Sequence, residues 1–531
     1  MKINNIEKLF VTLIFLFIFG FMATVLSINW YNGMGDNATY ADITLNIAKT
    51  GKSTSQILAT VIDYIFQEKL VNITPDKVST LNLEAHPYNL NTLKFHFTPI
   101  QFFLAPLSKI VPINILWGSI TAFSFLGVLF LGYFILRNGR ISIIGTFFLL
   151  SVISLHPAWN YSIFGQFYVD RLFLISGMLL LYFSGKIKPN IFLIVLGATI
   201  SSLIIEKTAI ICGIFLVIFS ILYWNKLPHR LHFQLLFLGI TVGLFGYFII
   251  KYYLNNSYYS SFISVSSLRN FASYLSSYPH AFQNLLTFIF INLPILLLGI
   301  FEWKTLTIAI TMMIPNIFGN LGGAEKVGWV THYHTTYFPF LFWSGILGYV
   351  SLQKKVKNKF YNLLFYGIFI LTAIFYGNAD QITDFSLKQF SLSRAVYGSW
   401  PIKTLLILKD SFNPTGKYQN QKNIEKFIDA NIPIGSTVSV PENLMIYLFQ
   451  KYKVYYYPLG LDNVDYVVLH INNDPNLPIF SGIYTYLGSD NNYKIDALLL
   501  NRMVEKGYDT HHPKIFGNVA IIKRTGQINK K

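Results

Sequence analysis

Apolar positions in this chain fall in long blocks, separated by short polar connections. The first block, Leu9 to Ile28, carries no charge over 20 residues, matching the ~20 needed to cross a hydrocarbon core. It follows Lys2 and Lys8 and exceeds the roughly 7–15 apolar residues of a cleaved signal peptide. It reads as a retained helix with its N-terminus inside. Further blocks lie near 113–135, 141–157, 166–183, 190–205, 208–224, 232–253, 284–301, 304–320, 335–352 and 360–376, giving eleven candidate spans. Arg137 and Arg140, Lys186 and Lys188, Lys226 and Arg230, Lys304, and the cluster Lys354, Lys355, Lys357 and Lys359 occupy alternate connections. An N-inside arrangement puts those connections in the cytoplasm, as the positive-inside bias requires. An odd number of spans then leaves the tail outside.

Three stretches break the pattern: 29–112, 254–283 and 377–531. Within the last, Thr437–Val440, Val454–Tyr457, Tyr466–His470 and Val519–Ile522 read as short strands. Stretches near 421–430, 442–450 and 495–506 have helical spacing. Alternation of the two implies a small α/β domain. The expected organisation is a transmembrane domain over 1–376 that includes outer loops 29–112 and 254–283. A linker over 377–416 and a soluble α/β domain over 417–531 follow. No internal repeat is visible.

Composition agrees with a polytopic membrane protein. Hydrophobic residues reach 53%, charged residues only 12%, and mean hydropathy is +0.46, whereas soluble domains carry about 25% charge. The net charge of +17 fits basic cytoplasmic connections and not a nucleic-acid partner, since no basic helix or RNA-binding signature accompanies it. The single Cys212 excludes an intrachain disulfide framework and a Cys-based zinc site. Of the 24 acids only eleven precede residue 377, and the arrangement above puts all but Glu7 and Glu302 at the outer face. Loop acids contribute little to topology, so this asymmetry implies outward-facing chemistry.

Candidate chemistry lies where spans meet that face. Gly33 and Gly35 allow a tight turn after the first span, from which Asp36 would emerge at the membrane surface. Asp36 can take a proton from an acceptor hydroxyl, bind a divalent cation beside a phosphate, or merely cap a helix. Asp42 follows six residues on. His96 precedes a short apolar stretch, Ile100 to Leu107, suited to an interfacial helix. It can hydrogen-bond a phosphate or act as a base. Asp170 and Arg171 stand at the start of a span, and Glu206 and Lys207 interrupt an otherwise continuous apolar run from Ile191 to Trp224. Ionisable residues there mark sites unless they pair locally, Arg171 with Asp170 and Lys207 with Glu206. The last outer loop offers Glu325, Lys326, His332 and His334. A His-x-His pair without a third ligand nearby is a weak metal signal.

An N-inside first span, an outer loop opening with an Asp, an interfacial helix, many spans and an extracytoplasmic α/β tail together resemble the GT-C glycosyltransferase superfamily. His96-Phe-Thr-Pro99 with Leu104-Ala-Pro106-Leu, then Ile432 to Pro441, then Asp465-Tyr-Val-Val-Leu469 resemble, in that order, a bacterial and archaeal family near GT-C. Its members are multi-spanning membrane proteins of unknown function. The resemblance runs from about Gly35 to Ile522. It implies an integral protein of the bacterial inner membrane, N-terminus cytoplasmic and tail extracytoplasmic. Such a protein transfers a sugar from a polyprenyl-phosphate donor, among membrane lipids, to a glycan, lipid or protein acceptor. Asp36 carries over as the catalytic carboxylate, near the acceptor or a metal. Asp42, His96, Asp170, Arg171, Glu206, Lys207, Glu325, Lys326, His332 and His334 are the candidate substrate contacts. The Asp-Asp or Glu-Asp dyad of some GT-C groups is missing, which leaves a divalent cation, Mg or Mn, as an open cofactor. The leaving phosphate is expected on Arg171 and Lys207, facing an outward-open cavity shared with Asp36, or else around His332 and His334. A lipid-linked sugar flippase and a non-catalytic scaffold are the rival classes.

Overall fold

The computed structural model describes residues 5–66, 75–86, 90–156, 159, 167–186, 188–254, 281–318, 332–355, 367, 400–471, 480–481 and 492–526. Glu325, Lys326, most of the 254–283 loop and all but one residue of the eleventh apolar block lie outside these. The first helices are α1 (Asn5–Ile28), α2 (Met34–Thr50), α3 (Gln56–Phe66), α4 (Ile100–Leu104), α5 (Ile113–Asn138) and α6 (Ile143–Ser154). Next come α7 (Leu172–Ser184), α8 (Ile191–Ser202), α9 (Glu206–Leu222), α10 (His229–Phe248), α11 (Ala281–Gly299), α12 (Trp303–Phe318) and α13 (Phe338–Lys355). Then α14 (Trp400–Ser411), α15 (Lys417–Asn431), α16 (Met445–Leu448) and α17 (Asn492–Glu505) accompany six strands. These are β1 (Thr437–Val440), β2 (Lys453–Tyr456), β3 (Tyr466–Ile471), β4 (Phe480–Ser481), β5 (Lys514–Phe516) and β6 (Val519–Lys523). The chain divides into two compact units, one of Met1–Ser27, Leu93–Phe103 and Asn114–Ile407, the other of Ile28–Thr92, Leu104–Ile113 and Leu408–Lys531.

The first unit is helical, and a helix coincides with each of the first ten apolar blocks. Among the described residues, four helical stretches are long and apolar enough to cross a membrane: Asn5–Asn32, Ile113–Asn138, His229–Tyr253 and Asn292–Pro315. Their surfaces are apolar too. Phe10 and Phe17 on α1 and Phe237 on α10 are 64%, 77% and 74% exposed, a patchwork that soluble proteins avoid and lipid accepts. Helices α1 and α5 run antiparallel. At one end Arg137 Nε donates to Glu7 Oε1 at 2.6 Å and Tyr133 donates to the same oxygen at 2.7 Å. At the other, Ser27 Oγ donates to the Asn114 carbonyl at 3.3 Å. The α9–α10 hairpin closes backbone to backbone: a Cβ at Gly213 would lie 2.5 Å from Gly243 Cα. Small residues allow that approach between membrane helices.

The second unit is built on a six-stranded sheet in the order β2-β1-β3-β6-β5, with β4 also on β3. Strand β1 is parallel to β2 and β3, while β3–β6, β5–β6 and β3–β4 are antiparallel. Strands β1, β2, β3 and β6 and helices α15 and α17 fall where the spacing predicts them. Strands β4 and β5, two and three residues long, are too short to show a period. Helix α14 lies inside the stretch expected to be a linker. The sequence reading groups residues 29–112 with the spans, yet much of that stretch packs against the C-terminal segment. Tyr31 donates to Glu425 at 2.5 Å and stacks on Tyr447. Arg502 donates to the carbonyls of Val78 and Leu81 and to both oxygens of Asp462, which also accepts the Leu83 N–H. The loop's own backbone groups find partners there that no local pattern announces.

Candidate functional site

Extended backbone at Ile205 ends the turn after α8, and α9 begins directly with Glu206. The Glu206 side chain is wholly buried. An isolated carboxylate there would cost several kcal/mol unless its oxygens were answered. Both are. Oε1 lies 3.1 Å from His96 Nδ1 and Oε2 accepts the Phe97 N–H at 2.9 Å. The Ile100 N–H adds a third tie, to the Leu203 carbonyl at 2.9 Å. Phe97 sets its edge against Phe245 and Tyr253 and packs on Ile250 and Leu254. Segment 96–100 is thus fastened to the α8–α9 turn and to α10.

Asp170 and Arg171 occupy a 3-10 turn, Val169–Arg171, that feeds α7, and both are buried. Asp170 accepts from Thr335 Oγ1 at 3.3 Å. Glu206 thus meets His96, a partner from a distant segment that a local reading of the sequence does not supply. The Arg171 guanidinium lies 5.7 Å from the Tyr168 ring centroid. His332 opens the 3-10 turn His332–Thr336. His334 is buried in it, sharing a 2.5 Å hydrogen bond with the Tyr337 hydroxyl and stacking on Phe338. His156, also buried, bonds Asn292 at 3.2 Å.

The first-loop carboxylates belong to the other unit. A 3-10 turn, Asn29–Gly33, leads straight into α2, so Asp36 stands in the first turn of a helix, where a carboxylate meets the positive end of the helix dipole. Gly35 does not make a tight turn there. It makes room, since a Cβ would fall 2.4 Å from Glu442 Cγ. Glu442, whose Oε2 accepts from the Tyr456 hydroxyl at 3.3 Å, thereby lies against the helix start that carries Asp36. No sequence signal pointed to it, nor to Thr335. Asp42 lies in the same helix, and its carboxylate accepts from Ser55 Oγ at 2.6 Å, Asn46 Nδ2 at 3.1 Å, and the N–H groups of Gln56 and Ile57. It caps α3. Burial pushes its carboxyl up to about 6, against the pull of those donors.

Among the described residues, no group of three or more His, Cys, Asp or Glu is arranged to hold a metal ion.

Neither a family model nor a curated protein sequence matches this chain. Among solved structures, its fold is similar to the crystal structure of ArnT from Cupriavidus metallidurans bound to undecaprenyl phosphate. The TM-score is 0.54 at 11% sequence identity, over 97% of this chain and 98% of that one. The likeness is one of fold.

Proposed function

We propose that this protein is an integral membrane glycosyltransferase that moves a sugar from a polyprenyl-phosphate donor to an extracytoplasmic acceptor. The observation that supports this reading most is the fold shared with ArnT over almost the whole chain, in a structure whose ligand is undecaprenyl phosphate. The charged cluster agrees with it. A departing phosphate needs cations held where water is scarce; Arg171 is buried in the turn that feeds α7, and Lys207 stands in the first turn of α9.

In this reading the acceptor oxygen attacks the anomeric carbon, and the bond to the phosphate breaks with its electron pair going to the phosphate. Arg171 and Lys207 bind that anion, Arg171 with bidentate geometry. Asp36 takes the acceptor's proton.

Purified full-length protein, given radiolabelled undecaprenyl-phosphate hexoses and an envelope extract as acceptor, should release undecaprenyl phosphate and label the extract. Asp36→Asn should abolish transfer while the protein still purifies folded. Full activity in that variant removes Asp36 as the base. Movement of the donor across liposomes without transfer would instead mark a flippase. The same assay with and without EDTA tests the divalent-cation alternative at Asp36.

A further inference from the structure

We propose that the protein holds the headgroup of an anionic phospholipid between the α9–α10 turn and the start of α12, with Lys226 and Lys304 on its phosphate. The site uses none of the groups assigned to transfer and does not depend on that reaction.

Helix α9 ends at Leu222, and the next residue, Tyr223, stacks on Phe219 with 4.5 Å between ring centroids. Two lysines from different connections meet on that one ring. Lys226 Nζ lies 5.7 Å from the Tyr223 centroid and Lys304 Nζ lies 5.0 Å from it. Lys304 is also 5.7 Å from the Trp303 centroid and donates to the Leu222 carbonyl. The face of an aromatic ring attracts a cation, and a lysine can close the last carbonyls of a helix. Those contacts hold Lys304 in place but spend little of its capacity, since an ammonium has three donors. Neither ammonium is paired with a carboxylate among the described residues. Glu302, the acid nearest in sequence, accepts from Ser351 Oγ of α13 at 3.2 Å. Positive charge is therefore held in excess, and Arg230 in the first turn of α10 adds to it.

The surroundings favour a lipid over a soluble anion. Ile221, Trp224, Phe233, Ile300 and Trp303, on the same elements, are all exposed. Water penalises such a surface and acyl chains do not, while indole rings suit the headgroup level of a bilayer. Sidedness agrees. Lys304 reaching Leu222 and Ser351 reaching Glu302 bring the α9–α10 connection, the α11–α12 connection and the last turns of α13 to one end of the helical unit. In the N-inside arrangement that end is cytoplasmic, where anionic lipids attract basic pockets between membrane helices.

Diffuse basic charge would act alike at every connection on that side, so another connection supplies the contrast. In the α7–α8 connection Lys186 lies over Tyr182 and Phe183, two rings of the helix it has just left. There one lysine serves its own helix. At Tyr223 two lysines from connections far apart in the chain converge, as a bound phosphate requires. A lysine close to anionic headgroups contributes about fivefold to affinity, and the pair about 25-fold.

The test reads tryptophan fluorescence of the full-length protein in phosphatidylcholine vesicles. These carry increasing fractions of phosphatidylglycerol brominated near the carbonyl end of an acyl chain, or the same fractions of phosphatidylcholine brominated alike. Brominated phosphatidylglycerol should quench more at equal fraction, and W224F/W303F should remove that excess. The midpoint of the excess should shift about fivefold in K226Q and in K304Q, and about 25-fold in K226Q/K304Q. It should stay in place in K186Q/K188Q, which loses the same net charge. Inorganic phosphate should not displace the lipid beyond what chloride does at equal ionic strength. Equal quenching by the two lipids, an excess that survives W224F/W303F or an unshifted K226Q/K304Q overturns the site. An equal shift in K186Q/K188Q reduces it to diffuse charge, and displacement by phosphate alone overturns the lipid as occupant. If K304Q does not fold, K226Q decides alone, its side chain being exposed, and an unshifted midpoint there overturns the proposal.

Discussion

Two buried carboxylates, Glu206 and Asp42, make an instructive pair. Each begins or supports a helix, and each has all its oxygens engaged. Asp42 is answered by a serine hydroxyl, an asparagine amide and two backbone N–H groups, all neutral and all within fifteen residues. Glu206 is answered by an ionisable ring and the N–H beside it, more than a hundred residues away in sequence. Neutral local donors describe a cap, whose purpose ends with the turn it closes. A distant partner, partly exposed, describes a join between segments far apart in the chain. The two residues had equal standing as substrate contacts when only the sequence was read.

Four substitutions probe that contrast. Glu206→Ala strands the Phe97 N–H and leaves His96 Nδ1 without this partner, each worth about 1–3 kcal/mol. Thermal unfolding should register that loss, and transfer by the folded fraction should fall at least about 100-fold. Asp42 should show itself through pH instead. Its carboxyl is raised from 3.8 to about 6, so its stabilising contribution is full below pH 3.8 and is lost as pH rises through about 6. That swing is roughly 3 kcal/mol. Asp42→Asn should gain stability relative to wild type across that window in denaturant titrations; parallel curves would refute the burial argument. Asp42→Ala should lower the unfolding free energy by about 2 kcal/mol through loss of the cap, with the folded protein still turning over. A rate loss matching that of Glu206→Ala would return Asp42 to the substrate contacts. Thr335→Val removes one hydrogen bond to Asp170, worth about 1 kcal/mol. It should show as a fivefold weaker donor KM at most.

Much of the architecture was written in periodicity. Blocks of apolar residues announced α1 and α5 through α13, and β1, β2, β3 and β6 stood out as short apolar runs. Position within the site was legible in part. Asp170, Arg171, Glu206 and Lys207 drew notice because charge at the end of a span is expensive, and they stand at the starts of α7 and α9. Their pairing was not legible. Adjacent residues of opposite sign invite a local explanation, and only the fold brings His96 to Glu206. Gly35 misled for a related reason. A glycine before an Asp reads as a turn, but its lack of a side chain accommodates Glu442, some four hundred residues later.

The interleaving of the two units also sets a timetable for biosynthesis. Residues Ile28–Thr92 leave the ribosome early, yet Glu425, Asp462 and Arg502, which complete their packing, arrive only with the last quarter of the chain. At about 5–20 residues per second, the loop waits on the order of tens of seconds while the helical segments between are made. During that interval the backbone groups that Asp462 and Arg502 will later engage must be satisfied by solvent or by a chaperone. A chain arrested before Leu408 should therefore expose its first loop to protease, however well its helices have inserted.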